Sequence, residues 1–183
     1  MRGGISTVCR KKHSSANNKY MTNYDNSKKS RYIMYFDVTN LYGYSMADYL
    51  PHGNFRWLNN DEILNWSMDK ECVEKGYILE VDLIYPIDLR DAHSELPLAP
   101  EHFNGKLTPN LYSKKNYRLR LENLKFYLSK GLKLDKIHKI LEFSQSKWLK
   151  SYIDTNTNLR KQTPDESAKI FYKLVVFFIY LYR

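Results

Sequence analysis

Tyr35-Phe36-Asp37-Val38-Thr39-Asn40-Leu41-Tyr42-Gly43 is the most informative stretch of this chain. Tyr32 to Val38 is rich in aromatic and β-branched residues and reads as a buried strand. The strand runs into a turn over Thr39 to Gly43, then a short helix near Ser45 to Tyr49. Leu50-Pro51-His52-Gly53 closes that unit. One carboxylate, Asp37, therefore stands at the end of an apolar strand. Burial of a carboxylate is costly unless it is paired or holds a cation. Hard cations such as Mg²⁺ take oxygen ligands, which would suit it. The plainer alternative is that Asp37 caps the turn behind it. Spacing alone favours the plainer alternative.

Working outward, the chain has 183 residues, enough for one domain or part of a larger one. It is 43% hydrophobic and 27% charged, which fits a globular protein and excludes a disordered one. Lys and Arg number 29 against 20 Asp and Glu, a net charge of +9 that suits a polyanionic partner. The 16 Tyr, 8 Phe and 3 Trp often stand beside Lys, Arg or Asn, a mixture suited to stacking on bases. The same rings also serve a core whose Tyr hydroxyls find partners at its edge, and composition leaves both readings open. Two cysteines, Cys9 and Cys72, are too few for a disulfide scaffold or zinc site and fit an intracellular, reducing setting. Met1-Arg2-Gly3-Gly4 opens no hydrophobic run, so no secretory signal is expected. Val175 to Tyr182 is apolar but too short to span a bilayer.

Arg10 to Ser30 is polar and aperiodic and reads as a loop or extended arm. Asn60 is a helix-cap candidate, with Asp61 and Glu62 in the first turn. Tyr77 to Tyr85 alternates, with Leu79, Val81, Leu83 and Tyr85 on one face and Glu80 and Asp82 on a wet one. Pro86 to Lys115, with four prolines, reads as a long connection. Helical spacing marks Asn116 to Lys130, with Gly131 as its stop, and Lys147 to Leu159. Lys133 to Phe143 reads as a strand. Thr163-Pro164-Asp165-Glu166 has the form of a capping box that starts the last helix at Pro164. Irregularly ordered strands and helices give an α+β fold.

The Asp37 segment resembles motif A of family B DNA polymerases, Asp-x-x-Ser-Leu-Tyr-Pro. The block from Asp37 to Pro51 is similar to the protein-primed branch, which includes polymerases of Polinton/Maverick transposons and some bacteriophages. The departures are Asn40 for Ser and Gly43 for Pro, which we read as branch markers. Arg2-Gly3-Gly4 resembles the Tyr-x-Gly-Gly element that joins exonuclease domain to palm, with Met1 in the Tyr position. Asn123 to Leu128, Ile137 to Lys139, Gln145 to Lys150 and Tyr152 to Asp154 resemble the transposon enzymes. Lys173-Leu174 matches the opening of motif B, Lys-x-x-x-Asn-Ser-x-Tyr-Gly. Phe177-Phe178 then stand where Asn-Ser would follow, and the 183 residues hold no Asp-Thr-Asp of motif C.

The resemblance implies an incomplete palm with an antiparallel sheet, plus helices leading into the fingers. Residues 1–30 would be an arm from an exonuclease domain, 31–115 a palm segment with the start of a priming insertion, and 116–183 insertion and fingers helices. It implies Asp37 as metal ligand for Mg²⁺, helped by the Val38 carbonyl. Leu41 and Tyr42 would meet the incoming nucleotide, Tyr42 packing under its sugar. Lys161, Lys169 and Lys173 would hold its triphosphate, and Lys169 and Lys173, at i and i+4, share a helix face. Arg2, Gly3 and Gly4 would touch DNA. Template, primer, dNTP and a terminal priming protein are the implied partners, in nucleus or mitochondrion. The implied reaction is two-metal nucleotidyl transfer in DNA replication, with the isolated chain inactive for want of motif C. The alternative is a non-catalytic nucleic-acid-binding remnant of a transposable element; an unrelated structural protein is a third reading. Other candidates carry less: Cys9 with His13 has no partner pair, and His93, His102 and His138 stand apart with no triad spacing.

Overall fold

The structure, a computed structural model, describes residues 5, 13–38, 40–68 and 73–181, with side chains to Val176. In chain order the helices are α1 (Leu41–Met46), α2 (Asn60–Leu64), α3 (Leu121–Ser129), α4 (Lys150–Gln162) and α5 (Glu166–Leu181). The strands are β1 (Leu50–Trp57), β2 (Lys75–Ile84), β3 (Glu101–Phe103), β4 (Lys106–Thr108), β5 (Lys114–Arg120) and β6 (Lys133–Ser146). An antiparallel sheet runs in the order β1-β6-β2-β5, and β3 pairs with β4 in a separate hairpin. The fold is α+β, as expected.

The alternation in β2 does what its pattern asks. Leu79, Val81 and Leu83 are buried and pack with Tyr117 and Leu119 of β5, Ile140 of β6 and Leu121 and Leu124 of α3. Non-polar area leaving water supplies the drive for this core. The other face of β2 is not uniformly wet. Asp82 is buried, and it is held rather than solvated. It accepts the Asn116 backbone N–H at 2.8 Å and the Lys115 ammonium at 3.0 Å. His138 Nε2 stands 2.9 Å from it. The Asn116 N–H above all keeps the Asp82 carboxyl well below the usual carboxylate range, with His138 and Lys115 adding to it.

Several boundaries differ from expectation for local reasons. Asn116 to Arg120 is strand, not helix, because β5 registers with β2 from Ile78↔Arg120 to Leu83↔Lys114. Only Leu121–Ser129 is helical. Gly131 does end that helix: its φ is 96°, its N–H bonds the Leu128 carbonyl, and Leu132 N–H bonds the Tyr127 carbonyl. That is the six-to-one and five-to-two pattern of a left-handed stop, which a side chain resists. Asn59, not Asn60, caps α2, exchanging bonds of 2.8 Å with Glu62 in both directions. Asp165, not Thr163, caps α5, accepting from the N–H groups of Ser167 and Ala168 at 3.2 and 3.1 Å. The helix accordingly begins at Glu166, beyond Pro164. Leu50 to Gly53 opens β1 instead of merely closing the preceding unit. The polar arm is closed by Asn17, which pairs with Arg31 through both backbone groups and clamps Asp25 with its amide.

The largest departure is Tyr32 to Val38, which forms no strand. Tyr35 and Phe36 are 89% and 82% exposed. The reason is pairing: the described strands complete their sheet among themselves, and none lies beside this segment. A strand without a neighbour has no ladder to hold it. No described helix is long and apolar enough to cross a membrane.

The long connection is anchored by a buried cation. Lys114 is fully buried, and its ammonium reaches Glu101 Oε2 at 2.8 Å and Asn110 Oδ1. Burial pushes the Lys114 amine down, and Glu101 opposes that. Glu101→Ala leaves this charge with Asn110 alone and should cost about 2–4 kcal/mol in urea unfolding, whereas Lys114→Met with Glu101→Leu should recover most of it. Asp82 gives a pH dependence of definite sign. Its folded pKa is depressed, so its contribution is present above its unfolded pKa of about 3.9 and is lost as pH falls below that. The unfolding midpoint should therefore drop between about pH 5 and pH 3, and Asp82→Asn should flatten that part of the profile.

Candidate nucleotide and metal site

Helices α1, α4 and α5 meet through a small apolar cluster of Met46, Leu149, Ile153 and Val176, with Ala47 and Leu50 packed against it. Each residue faces inward because of helical spacing: Leu149 and Ile153 lie one turn apart at the start of α4. The packing sets the N-terminal end of α1 against the C-terminal half of α4 and the middle of α5. Between them opens a cavity of about 320 Å³, lined by Asn40, Asn156, Thr157, Arg160, Lys161, Tyr172, Lys173 and Val176.

This cavity brings together residues that sequence separates by more than a hundred positions. Asn40 comes from the turn after Asp37; its φ and ψ of 59° and 41° are left-handed, a conformation Asn tolerates better than most. Arg160 and Lys161 come from the last turn of α4. Lys161 is thus within a helix, not in the connection before the last one. Lys173 and Tyr172 come from α5. Three cations share the lining, and no described acidic side chain lines it with them. Such a wall favours a polyanion held by charge-assisted hydrogen bonds.

Of the other residues singled out, Asp37 is exposed, and Val38 is 64% exposed beside it. Leu41 and Tyr42, on the first turn of α1, are 51% and 44% exposed. Lys169 lies one turn before Lys173, but its ammonium is 2.6 Å from Glu166 and it does not line the cavity. Arg2, Gly3 and Gly4, like Cys9 and Cys72, lie outside the described residues. His138 is not a free surface residue; it stands against Asp82. His93 bonds the Tyr85 hydroxyl at 2.7 Å inside the long connection.

Sequence reasoning missed Asn156, Arg160 and Tyr172. Asn156 and Arg160 are at i and i+4 on α4, adjacent to Thr157 and Lys161, so one polar stripe carries all four. Asn156 is buried and donates to the Tyr152 carbonyl at 2.9 Å. The i and i+4 spacing of Asn156 and Arg160 beside Lys161 was the only trace in the sequence, and it does not tell a site from a solvated face.

The fit of a divalent metal can be judged from the donors present. Among the described residues no group of three or more His, Cys, Asp or Glu could hold a metal. Asp37 with the Val38 carbonyl offers hard oxygens open to solvent, the right donor type for Mg²⁺ but only part of the six it takes.

Residues 17–176 match the family described as DNA polymerase type B, organellar and viral. No curated protein and no solved structure matches the chain. The match spans the sheet and, from Asn40 to Val176, every residue that lines the cavity. Enzymes of this family take DNA and deoxynucleoside triphosphates as partners and use divalent metal. That match covers most of the chain and makes this protein a member of the organellar and viral type B DNA polymerases.

Proposed function

We propose that the chain contributes the nucleotide-binding side of a DNA-directed DNA polymerase, with the sheet as part of the palm and α4 and α5 entering the fingers. The observation that carries this is the cavity in which Asn40, three residues after Asp37, faces Arg160, Lys161 and Lys173. A triphosphate needs several cations on one side and a metal-binding carboxylate on the other. The chain supplies both from the two ends of its sequence.

In this reading Arg160, Lys161 and Lys173 bind the β- and γ-phosphates, and Lys169 adds to the field while held by Glu166. Leu41 and Tyr42, which follow Asn40 on α1, would meet the sugar, Tyr42 packing under it to exclude a 2′-hydroxyl. Asp37 and the Val38 carbonyl would hold Mg²⁺. Bound metal supplies charge neutralisation at the phosphoryl oxygens. The reaction is attack of a primer hydroxyl on the α-phosphate, with pyrophosphate leaving. Completing the metal site needs carboxylates that these 183 residues do not hold as Asp-Thr-Asp. A first hydroxyl from a terminal priming protein and an origin in a transposon are what the resemblance of the Asp37 to Pro51 block implies. Arg2, Gly3 and Gly4 are proposed to touch the template. The boundary drawn after residue 115 falls within β5, so the two proposed segments share one sheet.

A second reading, nucleic-acid binding without catalysis, is favoured by Phe55 and Trp57, 60% and 63% exposed on the edge strand β1. Exposed rings on a basic protein suit stacking on bases.

Equilibrium binding of a dNTP with Mg²⁺ separates the two. Arg160→Ala, Lys161→Ala and Lys173→Ala should each weaken it about 3–10-fold, and Lys130→Ala on the remote end of α3 should not. Asp37→Asn should remove the Mg²⁺ dependence while sparing metal-free phosphate affinity. Absence of dNTP binding, with oligonucleotide binding that falls steeply with salt and depends on Phe55 and Trp57, would replace the first reading by the second.

A further inference from the structure

Asn40 caps α1 by position but makes no capping hydrogen bond with its side chain. Its amide lies elsewhere, over Gly43. A Cβ on Gly43 would stand 2.3 Å from Asn40 Nδ2, 2.6 Å from Oδ1 and 2.7 Å from Cγ. No real contact is that short, so the amide occupies the space a side chain at position 43 would need. Gly43 is buried within a helix, where glycine is normally a poor choice. Asn40 also lines two cavities at once: the cationic one, and a second of about 550 Å³ between α1 and α4 that includes Gly43, Asp48, Lys147 and Lys150. The amide is therefore part of the wall between them. Finally, Asn40 and Gly43 are the two positions at which the segment departs from Ser and Pro in the motif-A pattern, and they are the two that touch.

We propose that Asn40 and Gly43 act as one unit, in which the bare glycine seats the Asn40 amide and makes Asn40 a positioning residue at the wall of the triphosphate cavity. This rests on the nucleotide reading above. A side chain at position 43 displaces the amide into one of the flanking cavities, because Asn has only two side-chain torsions with which to escape. The cost falls mainly on the shape of the site, since a side-chain tip moves more cheaply than backbone. Asn40→Gly is the partner variant of choice, because glycine accepts the left-handed backbone at position 40 without strain.

The test is a double-mutant cycle on the chain: Gly43→Ala, Asn40→Gly and the pair, read by unfolding midpoint and by Mg²⁺-dependent affinity for a mant-labelled dATP. Replacing an unhindered helical glycine by alanine raises the midpoint by about 2–4 °C, and that gain should appear only in the Asn40→Gly background. Affinity should fall about tenfold on Gly43→Ala when Asn40 is present and less than about threefold when it is not. Equal effects of Gly43→Ala in both backgrounds, in both readouts, overturn the unit. Coupling in unfolding without coupling in affinity overturns the positioning role and leaves a packing pair. Failure of the unsubstituted chain to bind the labelled nucleotide overturns the positioning role together with the nucleotide reading, while the unfolding cycle still decides whether the two residues are coupled.

Discussion

Four apolar side chains hold the candidate site together. Met46, Leu149, Ile153 and Val176 are the meeting point of three helices drawn from the two ends of the chain. Only Val176 of the four lines the cavity, yet together they carry its polar residues into place. Met46 fixes α1 and hence Asn40; Ile153 fixes the stripe running to Arg160 and Lys161; Val176 fixes the turn that bears Lys173. Clustering three cations is unfavourable in itself, because like charges repel. The apolar contacts below supply the compensating free energy, and the cavity remains without a described acid to neutralise it. That imbalance is what suits the cavity to an anion.

The main sheet plays a different part. It is a self-contained support in which β6 is the long central strand, pairing with β1 on one side and β2 on the other. Its charged residues are tied down within it. Glu142 is held by Arg56 and Lys75 at 3.3 and 3.1 Å, and Glu80 by Arg118 at 2.7 Å. Asp82, Lys114 and Glu142 are the buried members of this set. These groups specify how strands and connection register, which apolar packing alone leaves loose. The arrangement separates a framework in which charges are paired from a cavity that no described acidic side chain lines.

Much of this was legible in the residues. Period-two alternation found β2, and helical spacing found α3 and α4, because local periodicity reports which face meets a core; Lys133 to Phe143 reads as a strand and lies in β6. Gly131 was legible as a stop, since a left-handed residue there has few alternatives. The errors fall where a neighbour decides the outcome. Asn116 to Arg120 became strand because β2 offered it a ladder. Tyr32 to Val38 stayed irregular because no described strand offered one, despite an equally β-prone composition. Asp82 looked like a wet residue and is buried, since its partners Lys115, Asn116 and His138 come from two other strands and a bulge. Caps shifted by one or two positions, because Asn59 and Asn60, or Thr163 and Asp165, are chemically alike and only backbone geometry separates them.

The family signature around Asp37, the excess of cations and the α+β class follow from the sequence by itself, because motif spacing, net charge and periodicity are properties of the linear chain. The cavity follows only from the tertiary structure. Lys161 and Lys173 were singled out by resemblance alone, and Asn156, Arg160 and Tyr172 drew no notice, because nothing in a linear pattern says which exposed faces will oppose each other. That depends on where four apolar side chains bury themselves together, a contact between the two ends of the chain that forms only when helices from both are in place.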